Sequence, residues 1–192
     1  MLFRSRLHST SSLFFDAYFC HLLNHEQYIL RCLKLAEIGT GHVAPNPMVG
    51  AVLEYEGRII GEGYHQQYGK AHAEVNCINS VSSENKQYIP KSTLYVSLEP
   101  CAHFGKTPPC ADFIIENKIL NVVIGCRDSF AAVNACLNDP VGQGKGIEKL
   151  KAGGVNVIVG VLKKECLELN KRFFTFHQEK RPYIILKCAQ SN

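Results

Sequence analysis

Thr93-Leu94-Tyr95-Val96-Ser97-Leu98-Glu99-Pro100-Cys101 reads as a strand rich in β-formers that stops at a Glu-Pro-Cys corner. A loop containing glycine and proline follows, Ala102 to Pro109. Pro109-Cys110 then opens a helix expected to run to Lys118, since proline suits a first helical turn. Upstream, His72-Ala73-Glu74 starts a helix expected over His72 to Val81. Both motifs therefore sit where a strand or loop hands over to a helix N-terminus. Such ends carry unpaired N–H groups and partial positive charge. Thiolates are stabilised there, which favours metal ligation by Cys101 and Cys110.

The rest of the chain extends the same alternation. His25 to Ile38 has Ile29, Cys32, Leu33 and Ala36 at helical spacing, with Gly39 as its stop. Pro45-Asn46-Pro47 is an extended or turning segment, because each proline pushes its predecessor out of helical space. Val49 to Glu54 and Arg58 to Glu62 form a hairpin about Glu56-Gly57. Asn121 to Gly125 and Val155 to Val159 are short strands, with a helix at Ile147 to Ala152 between them. Leu162 to Phe174 reads as one helix and Pro182 to Lys187 as a last strand. A hairpin followed by strand–helix–strand units predicts an α/β domain of three layers, a mixed sheet of about five strands with helices on both faces.

Bulk properties narrow the class. The chain has 192 residues, enough for one well-buried domain, with 46% hydrophobic and 20% charged residues. A net charge of +4 is only mildly basic, so no nucleic-acid partner is expected. No apolar run reaches the roughly 20 residues that span a bilayer, so no membrane partner is expected either. The 9 cysteines are odd in number and irregularly spaced; Cys77, Cys126, Cys136 and Cys166 fall in apolar segments and read as buried free thiols of a reducing compartment. Residues 1–24 have a different composition and read as an N-terminal extension. Cytoplasmic residence is expected, with organelle targeting left open by that extension.

One imidazole and two thiolates, His72, Cys101 and Cys110, would hold a zinc ion and leave its fourth position for water. Glu74 would move protons there, from the water to a ring nitrogen and then to a leaving amine. This is the equipment of hydrolytic deamination of an amino-heterocycle. His72 and Glu74 lie two residues apart, about 200° around a helix, so they can share a site only at a first turn. The competing reading is a structural zinc closed by His103 as fourth ligand.

His72-Ala73-Glu74-Val75 and Ser97-Leu98-Glu99-Pro100-Cys101-Ala102-His103-Phe104-Gly105-Lys106-Thr107-Pro108-Pro109-Cys110-Ala111-Asp112 together closely resemble the deaminase domain of the bifunctional riboflavin-biosynthesis deaminase/reductase, of the cytidine-deaminase-like superfamily. Pro45 to Gly50 and Gly61 to His65 are similar to it as well. The wide gap between Cys101 and Cys110 departs from the Cys-x-x-Cys of cytidine and tRNA-adenosine deaminases. The resemblance implies zinc on His72, Cys101 and Cys110, with Glu74 as proton shuttle. It implies a pyrimidine ribosyl phosphate, 2,5-diamino-6-(5-phosphoribosylamino)pyrimidin-4-one, that exchanges its 2-amino group for oxygen. Substrate contacts are implied for Asn46, His65, His103, Lys106, Thr107 and Asp128, and a homo-oligomer is expected. Residues near Ala135 to Val141 look inserted relative to the family. The domain division expected is 1–24 extension, 25–178 deaminase and 179–192 the beginning of a reductase domain. With that second half truncated, NADPH is not expected to bind, and a separate reductase would be a partner. The alternatives are a deaminase of another nucleobase, nucleotide or tRNA base, and a non-catalytic zinc-stabilised subunit.

Overall fold

The computed structural model describes residues 25–128 and 145–190. The N-terminal extension (1–24) and the insertion near Ala135 to Val141 lie outside the described residues.

Helix α1 (25–38) precedes strands β1 (Gly50–Tyr55) and β2 (Arg58–Tyr64). Helix α2 (Ala73–Asn79), β3 (Thr93–Leu98), α3 (Cys110–Glu116) and β4 (Asn121–Cys126) follow. The chain continues with α4 (Gly146–Ala152), β5 (Asn156–Val159), α5 (Lys163–Leu169) and α6 (Lys171–Glu179). The five strands form one sheet in the order β2-β1-β3-β4-β5. The β1–β2 and β1–β3 pairs are antiparallel; β3–β4 and β4–β5 are parallel. The hairpin turns at Glu56 and Gly57, both at positive φ (49° and 78°), as a two-residue turn matching strand twist requires.

Alternation along the central strands makes the three layers. Ala51, Leu53, Leu94, Val96, Val122 and Ile124 point to one face, against Cys77 and Ile78 of α2, Ile114 of α3, and Ile147 and Leu150 of α4. Val52, Tyr95 and Val123 point to the other, against Tyr28, Ile29 and Cys32 of α1, Cys166 of α5 and Phe174 of α6. Both faces are covered, so the strands read as near-continuous apolar runs. Cys77, Cys126 and Cys166 are free and buried, as expected; Cys136 lies outside the described residues. No helix among the described residues is long and apolar enough to cross a membrane.

Two expectations are corrected. Leu162 to Phe174 is two helices, broken at Asn170. The Asn170 side chain accepts from Met48 N and donates to Met48 O, both at 2.8 Å, and this bond pair takes the place of helix continuity. Pro182 to Lys187 forms no strand. Ile184, Ile185 and Leu186 are exposed, and without a neighbouring strand there is no ladder to define one. A 3₁₀ turn at Lys86–Lys91 was not foreseen.

Candidate metal centre and its pocket

The parallel strands β3 and β4 end side by side, and the chain beyond their carboxyl ends builds the site, as open α/β sheets commonly do. Cys101 follows β3 across Glu99-Pro100. Cys110 is the first residue of α3, and His72 is the N-cap of α2, extended at φ −75° and ψ 170°. The extended residue before the helix resolves the 200° problem, because His72 is outside the turn that carries Glu74.

The ligand atoms of His72, Cys101 and Cys110 lie within 4.8 Å of one another. His72 Nδ1 faces both sulfurs, at 3.5 Å from Cys101 Sγ and 3.3 Å from Cys110 Sγ. Helix α3 has no side-chain cap of its own. Cys101 takes that place: its Sγ accepts from Cys110 N (3.3 Å) and its carbonyl from Ala111 N (3.0 Å). The Cys101 thiol is pushed down to about 4, by the hydrogen bond with Cys110 first and by His72 after it. Cys110 is driven up by Cys101, so the negative charge of the pair rests on Cys101. His72 is raised by its bond to that sulfur. Two sulfurs and one ring nitrogen converging on a point, with one thiol already acidified, fit a soft divalent ion such as zinc. His103 is not in this cluster.

Glu74 is 3% exposed, and burial holds its carboxyl above the ordinary carboxylate range. It lines a pocket of about 340 Å³ together with His72 and Cys101. Asn46, His65, His103, Lys106, Thr107 and Asp128 line the same pocket; Cys110, fully buried, is not part of the lining and joins the site through its contact with His72. His65 bonds the Ala71 carbonyl through Nδ1 (3.1 Å) and Asn46 Nδ2 through Nε2 (3.2 Å). Burial lowers its pKa. His103 Nδ1 is buried without a hydrogen-bond partner among the described residues, an atom suited to a ligand. Lys106 is exposed, with Nζ 4.1 Å over the Tyr68 ring.

Sequence reasoning missed Glu99, Tyr68, Phe173 and His177 of the lining. Glu99 accepts from Asp128 N and Ile147 N, both at 3.2 Å, and so fixes Asp128 and the start of α4 beside the site. A charged residue at the end of an apolar strand was its visible signal. Ending the helix at Phe174 concealed His177, one turn further on.

A three-layer α/β domain with a His/Cys/Cys cluster at two helix N-termini, and an acid in the first turn of one of them, defines the zinc-deaminase class. The family model for the cytidine and deoxycytidylate deaminase zinc-binding region matches residues 23–126. A diaminohydroxyphosphoribosylamino-pyrimidine deaminase of Buchnera aphidicola is 42% identical over 147 residues, covering 77% of this chain and 91% of that protein. The riboflavin biosynthesis protein RibD of Aquifex aeolicus is 45% identical, over 86% of this chain and 43% of its own length. A crystal structure of the deaminase/reductase of Thermotoga maritima superposes with a TM-score of 0.74 at 44% identity, covering 85% of this chain and 44% of that one. The chain belongs to this deaminase family, on the riboflavin-biosynthesis branch. It spans under half the length of the Aquifex and Thermotoga relatives.

Proposed function

We propose that this chain is a zinc-dependent hydrolase that deaminates 2,5-diamino-6-(5-phosphoribosylamino)pyrimidin-4-one at C2, giving 5-amino-6-(5-phosphoribosylamino)uracil and ammonia. The observation that carries the proposal is the convergence of the His72, Cys101 and Cys110 ligand atoms, with the buried Glu74 lining the same pocket as His72 and Cys101. A relative of which the match covers 91% carries the name diaminohydroxyphosphoribosylamino-pyrimidine deaminase, which supports this substrate class.

His72, Cys101 and Cys110 would hold the ion, which supplies Lewis-acid activation of water. Glu74, whose carboxyl burial raises above its ordinary value, would be the group that moves protons there. Water adds across the C2–N3 bond: oxygen goes to carbon, and Glu74 carries a water proton to N3. The C2–N bond then breaks, and Glu74 delivers the second proton to the departing amine, which leaves as ammonia. Asn46, His65 and His103 form the wall on which the pyrimidine is placed. Lys106, Lys70 and Thr107 stand at the rim as the cationic and hydroxyl end for a phosphate.

Ammonia release from the diaminopyrimidine phosphate, cytidine and guanine, measured with metal content, tests this. Release from the diaminopyrimidine phosphate with about one zinc per chain is expected; activity confined to cytidine overturns the substrate assignment.

A further inference from the structure

The Ala71 carbonyl can only accept a hydrogen bond. His65 Nδ1, at 3.1 Å from it, must therefore carry a proton. In a neutral imidazole Nε2 is then bare and can only accept. Its partner at 3.2 Å is Asn46, whose amide must present the NH2 group there and not the oxygen. The orientation of this amide is thus dictated by a carbonyl 25 residues away in sequence. The Asn46 backbone is held too: its N donates to Val43 O at 2.8 Å, and Pro47 keeps it extended. Asn46 Oδ1 has no donor among the described residues, and Asn46 lines the pocket.

We infer that His65 is a positioning residue that sets specificity: locked as the Nδ1–H tautomer by Ala71, it holds the Asn46 amide so that Oδ1 is the acceptor offered to a ligand. The pocket then selects a heterocycle that presents an N–H or NH2 donor at that edge, and disfavours one that presents a bare ring nitrogen or a carbonyl. Two facing acceptors would leave buried groups unpaired. The assignment of the ligand as a heterocycle rests on the function proposed above; the tautomer does not.

Two substitutions separate the two bonds of His65. In His65→Asn the amide reaches the Nδ1 position and keeps the bond to Ala71, but loses the acceptor for Asn46. In His65→Gln the side chain places an oxygen at the Nε2 position and keeps Asn46 in orientation. His65→Asn is expected to raise KM about tenfold with kcat within about threefold, the loss of one oriented hydrogen bond. His65→Gln should raise KM less than His65→Asn does, because it returns an acceptor to Asn46. Asn46→Ala should raise KM as His65→Asn does, and the double variant should be no worse than either single one. All are compared at equal zinc content. Nitrogen-15 NMR of the histidine-labelled, zinc-loaded chain should show a protonated Nδ1 and a bare Nε2 for His65. A bare Nδ1, a doubly protonated ring, or additive effects of His65→Asn and Asn46→Ala would overturn the inference. A wild-type chain inactive on the diaminopyrimidine phosphate overturns the proposed function instead, and the NMR measurement then decides the tautomer alone.

Discussion

Glu74 is a carboxyl group buried to 3% exposure with no ion pair among the described residues, an arrangement that costs stability. In the function proposed above this carboxyl transfers protons, and the substitution that removes only that role is Glu74→Gln. The ligand cluster is untouched, so metal content should remain about one per chain, while kcat should fall by about 10²-fold or more. Stopped ammonia assays beside zinc analysis check it; full activity in Glu74→Gln excludes catalysis by this site. At this scale the sequence was informative, because His72, Glu74, Cys101 and Cys110 are residue types with narrow chemistry at distinctive spacing. It marked Glu99 only as a charge at the end of an apolar strand, and not its work, which is done through the backbone N–H groups of Asp128 and Ile147. Backbone donors look alike in any sequence, so what such an acid holds shows only when the partners are in place.

Elements were legible where hydrophobic periodicity decides them and illegible where a distant side chain does. Strand β3 runs over the residues its β-branched and aromatic content suggests, and the hairpin turns on Glu56-Gly57. The break between α5 and α6 was hidden because Cys166, Leu169 and Phe173 keep helical spacing through Asn170. The partner that rewards the break, Met48, is 122 residues away. Asn170 is 3% exposed, and Asn170→Ala leaves the part-buried N–H and C=O of Met48 without this partner. We expect a loss of about 1–3 kcal/mol in urea unfolding, larger than an ordinary surface change. KM should rise as well, since Met48 lies two residues from Asn46 and Phe173 and His177 ride on α6. A contrasting case is the Arg31–Glu62 pair between α1 and β2, at 2.7 Å but with side chains 43% and 31% exposed. Arg31 holds the Glu62 carboxyl below the usual range. A depressed acid stabilises the fold above its unfolded pKa and loses that contribution as pH falls through the folded value. Glu62→Gln should therefore cost under about 1 kcal/mol at neutral pH, after screening. The gap from wild type should close in acid, below the ordinary carboxylate range.

At the scale of the whole molecule, the three layers follow from a hairpin succeeded by strand–helix–strand units, so the fold class was legible in the sequence, while the strand order was not. The segment from Pro182 to Lys187 was misread because β-type composition marks a strand only where a neighbour can pair with it. The metal centre has a global consequence of its own. His72 caps α2, Cys110 starts α3 and Cys101 ends the β3 corner, so one ion would tie the hairpin half of the sheet to its parallel half. An ion that binds only the folded chain adds RT ln(1 + [L]/Kd), about 2.7 kcal/mol at a hundredfold excess over Kd. For a domain of this size that is roughly 5–10 °C in the midpoint of thermal unfolding. Zinc titrated into chelator-stripped protein should raise the midpoint by that amount, and added chelator should reverse it. Glu74→Gln should retain the full zinc-dependent shift, because it removes no ligand. Cys110→Ser should abolish it, because the two remaining donors no longer enclose the ion. A wild-type midpoint indifferent to zinc would separate the cluster from metal binding altogether. A shift preserved in Cys110→Ser would place the ion on other residues.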